Sequence, residues 1–130
     1  MEKTLKEIES QLIFFTVSET ELPTDQEHQL EKLVLNIKRL FRSAHLSDQS
    51  VHIEIVGHAD SIWKEETNME ISRNRAENTL SILVSKGLEA NNFSVMGVGS
   101  IEPLKEEFSE QDRAFNRCVT FSVKIIEIQE

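Results

Sequence analysis

Residues 51–87 read VHIEIVGHADSIWKEETNMEISRNRAENTLSILVSKG. Val51, Ile53 and Ile55 alternate with His52 and Glu54, the two-residue period of a strand with one buried face. After a polar loop, Ile71, Ala76, Leu80, Leu83 and Val84 fall along one helical stripe, and Gly87 stands where a helix ends. A strand that passes through a loop into an amphipathic helix is the first part of a β-α-β unit, so this stretch places the chain among the α/β folds.

The same periods extend outward. Upstream, Leu30, Leu33, Val34, Ile37, Leu40 and Phe41 recur at the spacing of one helical face, with Pro23 as punctuation and Thr24 or Asp25 as the expected cap. Before it, LIFFTV over 12–17 is rich in aromatic and β-branched residues and predicts the first strand. Downstream, residues 93–99 predict a third strand whose Gly97 and Gly99 point to close packing or a strained end. Residues 100–114 are polar, with a short helical turn expected around 104–111. Val119, Phe121, Val123 and Ile125 then alternate with Thr120, Ser122 and Lys124 as a fourth strand. The order is βαβαββ: an α/β (α+β) sandwich with a four-stranded mixed sheet and helices packed on one face. Residues 1–11, charged and with Leu5, Ile8 and Leu12 at helical spacing, are expected as an N-terminal helical arm or linker ahead of a domain spanning 12–128. The arm is either solvated or the end of a longer helix that offers a dimer contact.

A chain of 130 residues holds one core. Its 38% hydrophobic content, with four Gly and two Pro, excludes a disordered or collagen-like chain. A net charge of -9, without a basic run, opposes a nucleic-acid partner. The one cysteine, Cys118, has no disulfide partner within the chain, fits no zinc spacing, and is expected to be a buried thiol. No apolar run approaches the ~20 residues that span a bilayer. The first ten residues lack the pattern of a signal peptide, so either the protein is cytoplasmic or its export signal or membrane anchor lies outside this chain.

The chemistry concentrates between the second strand and the second helix. Asp60 leaves the carboxyl end of the strand, where α/β folds tend to place ligands. Arg75 follows fifteen positions later in the helix. The two are expected to meet as a charge pair. A guanidinium binds a carboxylate through parallel hydrogen bonds and an aspartate accepts from an ammonium, so such a pair suits a zwitterion. By spacing alone an ordinary surface or capping salt bridge is the commoner outcome.

The stretch also resembles the OmpA-like family, whose pattern runs G-x-T-D, N-x-x-L-S-x-x-R-A, a glycine-rich strand and N-R-R-V. The matching residues are Gly57-His58-Ala59-Asp60, Asn68-x-x-Ile71-Ser72-x-x-Arg75-Ala76, Gly97-x-Gly99, Pro103 and Asn116-Arg117-Cys118-Val119. The resemblance covers about residues 12–125. It implies non-covalent binding of peptidoglycan through the diaminopimelate of the peptide stem, Asp60 taking the ammonium and Arg75 the carboxylate, while Asn68 orients the loop. It also implies a periplasmic or envelope location, anchoring of a larger protein to the cell wall, and no cofactor.

Three residues depart from the pattern. Ala59 replaces Thr, Ser18 stands where Asp or Asn is common after the first strand, which implies Ser18 as a weaker ligand contact, and Cys118 replaces the second Arg. These departures keep open a second reading, a scaffold that has lost wall binding and serves protein assembly. Arg113 and Arg117 are candidates for the site rim, equally for surface pairs. Trp63 is read chiefly as a loop anchor packed on the domain. No nucleophile, phosphate-loop or metal-ligand motif is present, so neither an enzyme nor a metal site is expected.

Overall fold

The computed structural model describes residues 1–127; Ile128, the expected last residue of the domain, lies outside them. Helix α1 (Glu2–Glu9) leads into strand β1 (Ile13–Phe14), a 3-10 turn (Thr24–Gln26), α2 (Glu27–Leu46) and β2 (Gln49–Gly57). Helix α3 (Glu65–Ser85), β3 (Phe93–Gly97), α4 (Glu110–Asn116) and β4 (Cys118–Glu127) complete the chain. The sheet runs β1-β4-β2-β3, with β2 and β3 parallel and β4 antiparallel to both its neighbours. Val51, Ile53 and Ile55 of β2 turn inward onto the helices, while His52 and Glu54 look outward beside Lys124 and Ser122. This alternation packs the helices on one face, as the periodicity predicted.

Several boundaries differ from the sequence reading, each for a local reason. The first strand is two residues long because the Gln26 side chain takes its outer edge. Its Oε1 accepts from the Phe14 N–H at 2.8 Å and its Nε2 donates to the Phe14 carbonyl at 2.7 Å, which ends the ladder and blocks edge pairing. Thr24 and Asp25 sit within the 3-10 turn, and α2 starts after Gln26 with no side-chain cap. The expected turn at 104–111 forms later as α4, where Ser109 Oγ accepts from the Asp112 N–H and the Asp112 carboxylate accepts from the Phe108 N–H. Helix α1 is not solvated on all sides: Ile8 is buried in the core, and Glu9 accepts from the Val123 N–H on the β4 edge left open by the short β1. Its outward face is charged.

The core is one cluster in which Ile8, Ile13, Leu33, Ile37, Ile55 and Val119 join all these layers. Its tightest contact is between α3 and the sheet. Gly57 and Gly97 are register partners on β2 and β3. A Cβ on Gly57 would lie 1.7 Å from the Ser72 carbonyl oxygen, and one on Gly97 would lie 2.4 Å from the Arg73 nitrogen. The paired glycines therefore let the α3 backbone touch the sheet. Ser72 Oγ also accepts from the Gly99 N–H at 2.9 Å, and Gly99 itself holds φ 58, in the left-handed region. Both halves of the expectation for Gly97 and Gly99, close packing and a strained end, are present.

Because the clash would be with backbone, Gly57→Ala and Gly97→Ala are each expected to cost about 3 kcal/mol. Urea denaturation followed by circular dichroism reads this directly. A variant of wild-type stability would show that α3 does not press on the sheet.

Candidate functional site

At the carboxyl end of β2 the chain turns away from the sheet, and three loops converge there. The α3 contact described above carries Arg75 beneath them. Arg75 is 1% exposed, and all three guanidinium nitrogens donate to backbone carbonyls. Nε reaches Glu19 at 2.8 Å, Nη1 reaches His58 at 2.9 Å and Nη2 reaches Thr16 at 3.2 Å. The Phe15 ring lies 5.2 Å below the guanidinium carbon. Burial lowers the guanidinium to about 10, with the field of Asp60 opposing the shift and that of Arg117 adding to it. The group remains cationic at neutral pH.

Asp60 does not pair with Arg75. Its Oδ2 accepts from Arg117 Nη1 at 3.0 Å and its Oδ1 from the Ile62 N–H at 3.1 Å. The expected Asp60–Arg75 pair is thus replaced by a buried Asp60–Arg117 pair, while each Arg75 nitrogen is held on a backbone carbonyl instead. Arg117 also donates through Nε to the Phe15 carbonyl at 3.2 Å. Its Nη1 is shared with Glu110, whose other oxygen holds Arg113 Nε at 3.0 Å. Two arginines and one aspartate are therefore buried together, with Glu110 and Arg113 at the rim.

Asn68 sits in the first turns of α3. Its Nδ2 donates to the Trp63 carbonyl at 2.9 Å, while its buried Oδ1 has no partner. Ser18 adopts φ 61, and its Oγ accepts from Trp63 Nε1 at 2.7 Å. Trp63 is 51% exposed, so it is not the packed anchor expected from the sequence. His58 donates from Nδ1 to the Glu102 carbonyl at 3.3 Å and accepts at Nε2 from Thr120 at 3.0 Å. Burial lowers its pKa, with the Glu102 carbonyl opposing, and so favours the neutral ring. Among the described residues no three His, Cys, Asp or Glu side chains gather as metal ligands, and no helix is long and apolar enough to cross a membrane.

Sequence reasoning missed Glu110 and the structural use of Asn116. Glu110 lies three residues before Arg113 and seven before Arg117, a helical spacing that could have revealed it. Asn116 Oδ1 accepts from the Leu104 and Lys105 N–H groups and its Nδ2 donates to the Lys105 carbonyl, which folds the polar loop before α4. A groove of about 650 Å³ lined by His28, Leu35, Lys38 and Lys86 shares no residue with this constellation.

Two consequences are measurable. Arg117→Ala leaves Asp60 buried without its cation and is expected to cost about 3 kcal/mol in urea denaturation; an unchanged midpoint would place the pair in solvent. Cys118 is fully buried, and desolvation raises its thiol to about 12. It should therefore resist an aromatic disulfide reagent at pH 8 until the protein unfolds, and prompt labelling of the native protein would contradict this burial.

The comparisons with known proteins agree with this architecture. The OmpA family model matches residues 14–117. Outer membrane porin F of Pseudomonas fluorescens is 32% identical over 75 residues, 58% of this chain and 23% of its own length. The peptidoglycan-binding protein ArfA of Mycobacterium tuberculosis is 30% identical over 71 residues, 55% of this chain and 22% of its own. The chain thus spans less than a quarter of either relative. The crystal structure of the peptidoglycan-associated lipoprotein from Burkholderia pseudomallei superposes with a TM-score of 0.75 at 18% identity, covering 88% of this chain and 91% of that one. That likeness is one of fold. With the family model matched from the first strand to the residue before the fourth, the chain belongs to the OmpA family.

Proposed function

We propose that this chain binds peptidoglycan without catalysis, through the diaminopimelate of the peptide stem, and so anchors a larger protein to the wall within the periplasm. One observation carries the reading: an aspartate and two arginines are buried together where three loops converge, and the second N–H on Nη1 and on Nη2 of Arg75 meets no acceptor among the described residues. In this reading Arg117 stands on Asp60 in the free protein as an ammonium would. The ligand's ammonium replaces it, and the ligand's carboxylate is met by Arg75 with Arg117 beside it. Asn68 and Ser18 hold the Trp63 loop against the site, and Arg113 tethers Glu110 at the rim. The matched relative ArfA and the lipoprotein with the same fold are both named for peptidoglycan. A dimer formed through α1 would use its charged outer face, since Leu5 and Ile8 are turned toward the core.

The alternative is a scaffold for protein assembly that no longer binds the wall. It is favoured by the closure of the site, where Asp60 is already paired and Arg75 is out of reach of solvent.

Calorimetric titration with diaminopimelate and co-sedimentation with sacculi separate the two. Wild-type protein should bind both. Asp60→Asn and Arg75→Lys, which keep the shape of the first side chain and the charge of the second, should each weaken binding about tenfold or more while circular dichroism shows the fold retained. Wild-type protein that gives no heat and stays in the supernatant would establish the scaffold reading.

A further inference from the structure

Trp63 is a large aromatic side chain that is held beside the proposed site and still half open to solvent. Exposed tryptophans are ordinarily free to turn. This one is held at both ends: Nε1 donates to Ser18 Oγ, and the main-chain carbonyl accepts from Asn68 Nδ2. Ser18 is in turn fixed by the loop whose Thr16 and Glu19 carbonyls hold Arg75. The groups that build the charged site therefore also set the orientation of the indole. Half of its surface remains exposed, flanked in the chain by the exposed side chain of Ile62 and joined through Ser18 to that of Val17.

Since the indole N–H is already spent on Ser18, what Trp63 offers to a ligand is its ring face. We infer that this face is a glycan subsite, a platform on which the apolar C–H face of an N-acetylated sugar stacks. The inference rests on the peptidoglycan reading above. The stem is carried covalently by the glycan, so a protein that grips the stem at Asp60, three residues away, has the sugars within reach. A sugar also suits the surroundings better than an extended apolar partner. Ser61, two residues before Trp63, donates to Glu107, and Lys64 is the next residue in the chain; such polar neighbours match a ring edged by hydroxyl and acetamido groups.

Trp63 is the only tryptophan and the chain has no tyrosine, so tryptophan emission reports on this platform alone. Wild type, Trp63→Ala and Trp63→Phe are titrated by calorimetry, and wild type also by emission, with diaminopimelate, with a disaccharide-peptide muropeptide bearing a diaminopimelate stem, and with an N-acetylglucosamine oligomer. The muropeptide should bind wild type roughly three- to tenfold tighter than diaminopimelate does. That advantage should vanish in Trp63→Ala and largely persist in Trp63→Phe, which keeps a ring face. Muropeptide and oligomer should both blue-shift wild-type emission. If the muropeptide has no advantage, or keeps it in Trp63→Ala, the glycan subsite is overturned while stem binding stands. If neither diaminopimelate nor muropeptide binds but the oligomer shifts the emission, the stem reading falls and the sugar platform survives.

Discussion

A guanidinium sealed from water is costly, and here it is the point at which the fold and the site become one problem. Arg75 remains charged because its nitrogens meet the carbonyls of Thr16, Glu19 and His58, its face meets Phe15, and Asp60 supplies a compensating field. These partners come from the loop after β1 and from the end of β2. Neither segment would have a reason to curl over α3 without the cation beneath it. The cation in turn can reach them only because Gly57 and Gly97 admit the helix backbone to the sheet. Removing a methyl group from two strand positions is thus what allows a charge to be buried at a third.

How much of this was legible depended on the range of the interaction. Strands, helices and their order follow from local alternation and helical stripes, and the glycines announced a close approach before its partner was known. Pairing between charges did not follow. Asp60 and Arg75 share one stretch of sequence and suggest each other, yet Asp60 closes on Arg117, a residue 57 positions away. The choice is set by carbonyls that claim Arg75 first, and carbonyl positions leave no trace in side-chain patterns. The delayed α4 was different, since Ser109 and Asp112 show a capping spacing that can be read. The brevity of β1 turned on one distant amide, Gln26, whose mimicry of a strand edge no periodicity encodes.

The three departures from the family pattern take on physical meaning in place. Ser18 occupies a left-handed backbone position, where Asp and Asn are the usual non-glycine residues. A serine there exchanges a longer polar arm for a hydroxyl that receives the Trp63 indole. Ala59 is buried and joins the site only through its N–H, which donates to the Gly99 carbonyl at 2.9 Å. Cys118 sits fully buried at the head of β4. A thiol held protonated there leaves Arg117 as the cation nearest Asp60, so a single arginine does the neutralising.

This arrangement bears on mechanism as well as on recognition. A catalytic acid or base needs a group whose proton moves near neutral pH. Here the buried thiol and guanidinium are both held in one protonation state, and His58 has both ring nitrogens engaged, by Glu102 and Thr120. What can change is which cation faces Asp60. Arg117 is shared between a buried carboxylate and the exposed carboxylate of Glu110, so it has a second partner within hydrogen-bond reach. Exchanging one cation for another on a buried aspartate keeps charge balanced throughout. Under the proposed reading, that exchange is what would let the site grip a zwitterion reversibly.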